Sequence, residues 1–406
     1  MKQITGGVCA AKGFRAAGIH AGVKAGSNPE KKDLALILSD TECTAAAMYT
    51  TNRVKAAPLY VTMAHLENGT IRGVIANSGN ANACCTNSHE NAEAMCAAAA
   101  KATGLSAWDF AVASTGVIGQ EINVTAIVDA VPALAEQLSE DGSADAANAI
   151  LTTDTKEKTI AVELELGGKT VHLGGIAKGS GMIHPNMGTM LCFLTSDCAI
   201  SSDMVSTVLH EVVPRTFNRV TVDGDTSTND TCLLMCNGLA GNPLIEWKDE
   251  SYAAFKAALT QVLTYLSRCI AGDGEGATRL LTCTVHHSRS EEAAERLSKA
   301  VVGSSLVKAA MFGRDANWGR VLCAMGYSKA PFRPECVDVK FQSAAGEVLV
   351  CQQGRQVDFD EELATKVLSE DEVIIDINVN EGEHYATCWG CDLTYDYVKI
   401  NGDYRT

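Results

Sequence analysis

Short apolar runs and longer amphipathic segments follow one another along this chain in no fixed order, and that mixture narrows the fold more than any single residue does. Runs rich in apolar and β-branched residues, bounded by turn formers, predict strands at 34–38, 73–77, 160–166, 171–176, 190–195, 219–222, 233–236, 280–286, 373–379 and 393–400. In the last, Leu393, Tyr395 and Tyr397 alternate with Thr394, Asp396 and Val398, the period of a strand with two unlike faces. Helices are predicted at 88–101, which is Ala-rich with Glu90 and Glu93 near its start, and at 290–302, which opens on Glu291 and Glu292. A third, at 251–270, spaces Phe255, Leu259, Val262, Leu263, Leu266 and Ile270 along one face. A strict βαβ winding would alternate regularly. Irregular interleaving predicts an α/β fold of layered, mixed sheets.

With 406 residues the chain can form two domains or one large one. A net charge of −16 argues against nucleic acid or an anionic membrane as partner, since both need a basic face. No apolar run reaches the ~18–20 residues of a membrane span. The 16 cysteines sit mostly in apolar settings such as Leu191-Cys192-Phe193, where a thiol packs as a small hydrophobe, so a reducing compartment, the cytoplasm, is expected. The first 29 residues carry Lys2, Lys12, Arg15 and Lys24 and no acid, as transit peptides do. They are also Gly-rich without an amphipathic period, so they are expected to belong to the fold.

The segment 178–191 carries the chemistry. Lys178, a run of small residues and Pro185 lead through Gly188 into Thr189 and the apolar Leu191-Cys192-Phe193-Leu194. A threonine hydroxyl is a weak nucleophile until an amine accepts its proton, and an N-terminal threonine carries that amine itself. An α-amino group titrates near pH 7.7–8 (about the value of a free peptide), so it can act as a base. A cut between Gly188 and Thr189 would create such a residue, and glycine leaves room for a hydroxyl to reach the carbonyl. A plain Gly-rich loop entering a buried strand is the competing reading of this segment.

Other motifs resolve against cofactors. Leu166-Gly167-Gly168-Lys169-Thr170 ends like a phosphate loop, but Glu163 stands where the leading glycine belongs, and a hairpin is expected instead. Gly272-Asp273-Gly274-Glu275-Gly276 follows a helix, not the strand a dinucleotide fingerprint needs. In Asp223–Asp230 a calcium loop would need glycine where Thr228 stands. Cys388-Trp389-Gly390-Cys391 has zinc or redox spacing but no second pair, although Cys232 and Cys236 could be recruited. Neither a metal nor a cofactor is expected. Three further segments place polar groups where a plain core needs none. The turn at 113–119 can aim N–H groups and the Thr115 hydroxyl at an oxyanion; Thr152-Thr153-Asp154-Thr155 is hydroxyl-rich; Glu275 can face an amine. With the 178–191 loop they make the parts of an acyl-transfer site.

Those blocks together resemble the bifunctional glutamate N-acetyltransferase/ornithine acetyltransferase family of arginine biosynthesis. The likeness also takes in Gly13-Phe14-Arg15-Ala16-Ala17-Gly18, Asn77-Ser78-Gly79-Asn80-Ala81-Asn82, Asn218–Asp230, Gly313-Arg314-Asp315-Ala316-Asn317-Trp318 and 395–406, in one order across the chain. It implies an αββα sandwich, similar in outline to N-terminal-nucleophile hydrolases but differently connected. It implies self-cleavage into an α chain 1–188 and a β chain 189–406, commonly assembled as an α2β2 heterotetramer. By motif position Thr189 is the nucleophile, Thr115 and Gly116 form the oxyanion hole, and Thr152, Lys178, Thr189, Glu275, Asn401 and Thr406 bind substrate. The implied reaction moves acetyl from N2-acetylornithine to glutamate; whether acetyl-CoA also serves as donor is not encoded in any one residue. This sequence departs from the family in having Gly188 before the nucleophile, where alanine is usual, and Cys388, where alanine is frequent. Cys84-Cys85 is an unusual pair. Rival readings are a related amidase or aminopeptidase using water, and a cysteine-rich metal or redox protein.

Overall fold

The computed structural model describes residues 1–24, 26–184 and 190–403. Its first part contains strands β1 (Lys2–Ile4), β2 (Phe14–Ile19), β3 (Leu34–Tyr49), β4 (Thr70–Asn77), β5 (Phe110–Ser114), β6 (Lys158–Leu166), β7 (Lys169–Lys178), β8 (Leu191–Ser196) and β9 (Thr231–Cys236). Helices α1 (Ala57–His65), α2 (Ser88–Thr103), α3 (Val124–Glu136), α4 (Ser143–Ala149), α5 (Ser202–Val212) and α6 (Glu250–Gly272) lie between and after them. The strands form one sheet in the order β1-β6-β7-β8-β9-β3-β4-β5, with β2 also on β3.

This sheet folds over on itself at β3. Its start pairs with β2, its end with β9, and its register against β4 shifts between Leu38 and Cys43. Ala35, Ile37 and Val74 therefore face Ile176, Phe193 and Leu233 in a single core between two β layers. On one outer side Leu34, Leu36 and Ile75 pack under α2 and α3. On the other, Val162, Leu194 and Leu234 pack under α5 and α6. The order is α, β, β, α, as predicted. Strands β8 and β9 are parallel and buried on both faces, which is why they read as unbroken apolar runs. Helix α6 is capped by Asp249, whose carboxylate accepts the Tyr252 N–H at 2.8 Å, and all six apolar positions predicted for its inner face are buried. At Gly167 and Gly168 φ is +56° and +75°, the paired left-handed residues of a tight hairpin, as the failed phosphate-loop match required.

The chain continues as β10 (Leu280–Ser288), α7 (Glu291–Gly303), α8 (Ser305–Phe312), α9 (Trp318–Tyr327), β11 (Asp338–Ser343), β12 (Gly346–Gln352), β13 (Arg355–Gln356), α10 (Glu361–Val367), β14 (Glu372–Asn378), β15 (His384–Cys391) and α11 (Tyr395–Asp403). The six strands make a second sheet, β13-β12-β11-β14-β10-β15, with its own core against α7–α10. Strand β15 lies at the seam. Cys388 points into this second core and Cys391 into the first, so the two thiols leave opposite faces of one strand and cannot share a ligand.

Two predicted strands are wrong. At 219–222 the chain makes a 3-10 turn (Phe217–Arg219) followed by one bridge from Val220 to Trp389. The segment 393–400 is mostly helix α11. Tyr395 and Val398 are 84% and 70% exposed, so the alternation marked no buried face, and the i,i+4 pair Tyr397 and Asn401 is joined instead by the Asn401 side-chain amide, which donates to the Tyr397 carbonyl at 3.0 Å.

Candidate active site

Six predicted site residues come from five separate segments and line one cavity of about 120 Å³: Thr115, Gly116, Thr152, Lys178, Glu275 and Asn401. Gly188, Thr189 and Thr406 lie outside the described residues. The 178–191 loop springs from the end of β7 and re-enters the sheet at β8, the neighbouring antiparallel strand.

Thr115 and Gly116 follow β5. The Asn229 side-chain amide donates to the carbonyls of Ala81 and Ser114 at 2.7 and 2.8 Å, tying this turn to the segment before β9. Gly116 has φ +134°, and a Cβ there would stand 2.4 Å from the Gly79 carbonyl carbon and 2.5 Å from the Asn80 nitrogen. Only glycine fits. The Lys178 ammonium donates to the Thr115 hydroxyl at 3.4 Å. Burial pushes the Lys178 pKa below its ordinary value, and Asp154 works against that push.

Asp154 organises one wall. Its Oδ1 accepts the Lys158 ammonium and the Gly179 N–H, both at 2.7 Å. Burial would raise its carboxyl, but the charges of Lys178 and Lys158 and these hydrogen bonds hold it well below the usual carboxylate range. Lys158 also donates to Asp273 at 2.6 Å, at the end of α6, and the Asp273 carbonyl takes the Ser180 hydroxyl at 2.7 Å. Two residues on, the Glu275 carboxyl sits over Gly181, where a Cβ would lie 2.3 Å from its carbon. Asn401 donates to Glu275 Oε2 at 2.7 Å. Every predicted site residue that is described thus reaches the cavity.

No site residue was predicted within Thr221–Asp230, yet this segment holds described residues at both ends of the 178–191 loop. Asp223 accepts the N–H groups of Met182 and Ile183 at 2.6 and 2.8 Å, and Thr221 Oγ1 is 2.9 Å from His184 Nδ1. Burial, aided by Lys299, lowers the His184 pKa to about 4, so at neutral pH this ring is an uncharged anchor. Beyond the loop, Asp230 accepts the Met190 N–H at 2.6 Å. The available signals were the density of Asp, Asn, Thr and Ser in 221–230, which failed as a calcium loop, and the place of 218–230 among the blocks that carry the family resemblance; neither singled out Asp223 or Asp230.

Residues 15–406 match the ArgJ family. The "Arginine biosynthesis bifunctional protein ArgJ" of Symbiobacterium thermophilum is 50% identical over 407 residues, 100% of both chains. The chain belongs to the ArgJ family. ArgJ 1 of Clostridium acetobutylicum is 46% identical over 394 residues, covering 97% of this chain and 96% of that one. A solved ArgJ structure from Bacillus halodurans matches 52% of this chain and 98% of its own at 41% identity, with a TM-score of 0.49. The ArgJ family is the one its motifs resemble. Among the described residues no helix is long and apolar enough to cross a membrane.

Proposed function

We propose that this ArgJ-family chain transfers acetyl from N2-acetylornithine to glutamate through an ester on Thr189, after the Gly188–Thr189 bond has been cut. The observation that carries this reading is the convergence of the six residues on one cavity beside β7 and β8. The Thr189 hydroxyl attacks the acetyl carbonyl while its amine takes the hydroxyl proton. The Gly116 N–H and the Thr115 hydroxyl, the latter bonded to Lys178, hold the oxyanion. As the C–N bond breaks, the proton passes to the departing ornithine nitrogen. Glutamate's amine then attacks the ester and restores the hydroxyl. One amide replaces another, so the cycle needs no net oxidant, reductant or nucleotide.

Glu275 is suited to an ornithine ammonium, because its carboxylate already accepts a donor from Asn401. Segments 1–188 and 189–406 stay joined on this reading, supported by the pairing of β7 with β8 and of β3 with β9. Two such pairs form the α2β2 enzyme, which works in the cytoplasm; assaying glutamate acetylation with acetyl-CoA against N2-acetylornithine decides whether acetyl-CoA is a second donor. The deciding assay is ornithine release from N2-acetylornithine with and without glutamate. Release that needs glutamate supports transfer; equal release in water alone would make the protein an amidase.

Two substitutions test the assigned roles. Gly116→Ala should lower kcat about 10²–10³-fold by displacing an oxyanion donor, and cost roughly 1–3 kcal/mol of stability through backbone strain. Steady-state kinetics beside a denaturant titration read both, and undiminished kcat would remove Gly116 from the hole. Glu275→Gln should raise KM for N2-acetylornithine on the order of 10-fold with kcat little changed, as a charged hydrogen bond to bound substrate is lost. An unaltered KM would free Glu275 from substrate binding.

A further inference from the structure

Helix α11 carries Asn401 to the cavity, yet none of its residues is fully buried. Packing of an apolar face, the usual anchor of a helix, is therefore weak here, and polar contacts must hold it. Just before its start the Thr394 hydroxyl donates to the Gly276 carbonyl at 2.6 Å. A Cβ on Gly276 would lie 2.7 Å from the Tyr397 nitrogen, so the glycine loop and the helix meet backbone to backbone. In the first turn the Tyr397 hydroxyl donates to Asp223 Oδ2 at 3.3 Å. That same oxygen accepts the Met182 N–H at 2.6 Å, while Oδ1 takes the Ile183 N–H at 2.8 Å. Burial, with the charges of Asp223 and Glu275, pushes the Tyr397 phenol up, so at neutral pH it keeps its proton and donates.

These contacts close a ring. Met182 follows Gly181, and the Glu275 carboxyl lies against Gly181. The Glu275 N–H donates to the Ser180 carbonyl at 3.1 Å. Asn401 donates to Glu275 Oε2 at 2.7 Å and to the Tyr397 carbonyl at 3.0 Å, which brings the chain of contacts back to α11. Gly181, Met182, Glu275 and Asn401 line the cavity; Asp223 and Tyr397 stand behind them. A glutamate side chain has several rotatable bonds, and holding its carboxylate in one place costs rotamer entropy. Here Asn401 holds Oε2, and among the described residues nothing donates to Oε1. A cation on the substrate would meet an oxygen already oriented.

We propose that Tyr397 is the positioning residue that makes this site selective for a substrate whose side chain ends in an ammonium. Its hydroxyl fixes α11 on Asp223, its carbonyl fixes the Asn401 amide, and Asn401 fixes Glu275. This rests on the assignment of Glu275 to the ornithine ammonium above. Tyr397 touches neither the substrate nor the reacting atoms. It acts on binding and not on acyl transfer, so its loss appears in KM and in the choice of substrate.

Tyr397→Phe tests this, since it deletes one hydroxyl from a half-buried ring on an exposed helix and keeps the ring. The comparison substrate is N-acetylnorleucine, in which a methyl replaces the side-chain ammonium of N2-acetylornithine. KM for N2-acetylornithine should rise about 3–10-fold, the worth of one hydrogen bond, with kcat little changed. For N-acetylnorleucine kcat/KM should hold, so the preference for the ammonium shrinks by the same factor. In a Glu275→Gln background the Tyr397 substitution should add less than about 2-fold, because both act through one carboxylate. An equal loss on both substrates overturns the proposal and leaves Tyr397 as a contact of the fold alone. So does an unchanged KM, or a full additional loss in the Glu275→Gln background. If Glu275→Gln by itself leaves the preference intact, the parent assignment falls and takes this one with it, so the two failures are distinguishable.

Discussion

Thr189→Ala protein should run as one band at the intact 42.8 kDa and transfer no acetyl group, whereas the wild type shows two bands that sum to that mass. The substitution removes the hydroxyl that would cut the chain and the hydroxyl that would carry the acetyl group. It also prevents the amine from forming. Groups acting as one unit are not additive, and deleting a nucleophile of this kind lowers kcat on the order of 10⁶-fold. Electrophoresis and an ornithine-release assay read the two losses separately. Wild-type protein that is fully active while uncut would sink the mechanism, because no amine would stand beside the hydroxyl.

Lys158→Met should be the most destabilising single change near the site. The Lys158 side chain is 1% exposed, with Asp154 at 2.7 Å and Asp273 at 2.6 Å, carboxylates whose side chains are 0% and 3% exposed. Methionine fills much of the same volume but leaves two buried carboxylates facing each other without their shared cation. Breaking a buried pair in this way costs about 3–5 kcal/mol, a large part of a typical total of roughly 5–15 kcal/mol. The pH dependence follows from Asp154. Its folded pKa is depressed, so its stabilising contribution is present above an unfolded pKa of about 3.9 and is lost only as pH falls through the lower folded value. Without Lys158 that depression shrinks, and acid sensitivity should begin at higher pH. Urea titrations in the uncut Thr189→Ala background keep the comparison to a single chain. A loss below about 1 kcal/mol would mean the triad is nearly neutral to stability. Activity in the protein that keeps Thr189 should fall too, since Asp154 holds Gly179 and the Asp273 carbonyl holds Ser180.

Six strands of the double β layer were legible, β8 and β9 most plainly because both faces are buried and their sequences are correspondingly apolar, whereas β1, β2 and β5 were not predicted. Strand β11, Asp338–Ser343, was not, because its polar residues alternate with only Val339 and Phe341 facing the second core. The tail misled for the opposite reason, its aromatic alternation being exposed. Within the site, Thr115, Lys178 and Glu275 stand out as polar groups interrupting apolar or glycine-rich stretches. Asp223 and Asp230 do not. Their role is to accept backbone N–H groups about 40 residues away in sequence, and a carboxylate bound to a distant backbone leaves no local pattern.

Strands β7 and β8 are neighbours in one sheet and flank the loop where the cut is proposed. Intact, the chain closes this pairing within one molecule, at the modest entropic cost of a short loop. Once cut, the same pairing joins two molecules, and regaining it from the unfolded state depends on their concentration. Folding and maturation would then be ordered in time. The sheet forms as an intramolecular event, and the catalyst that follows from it cannot retrace that route at high dilution.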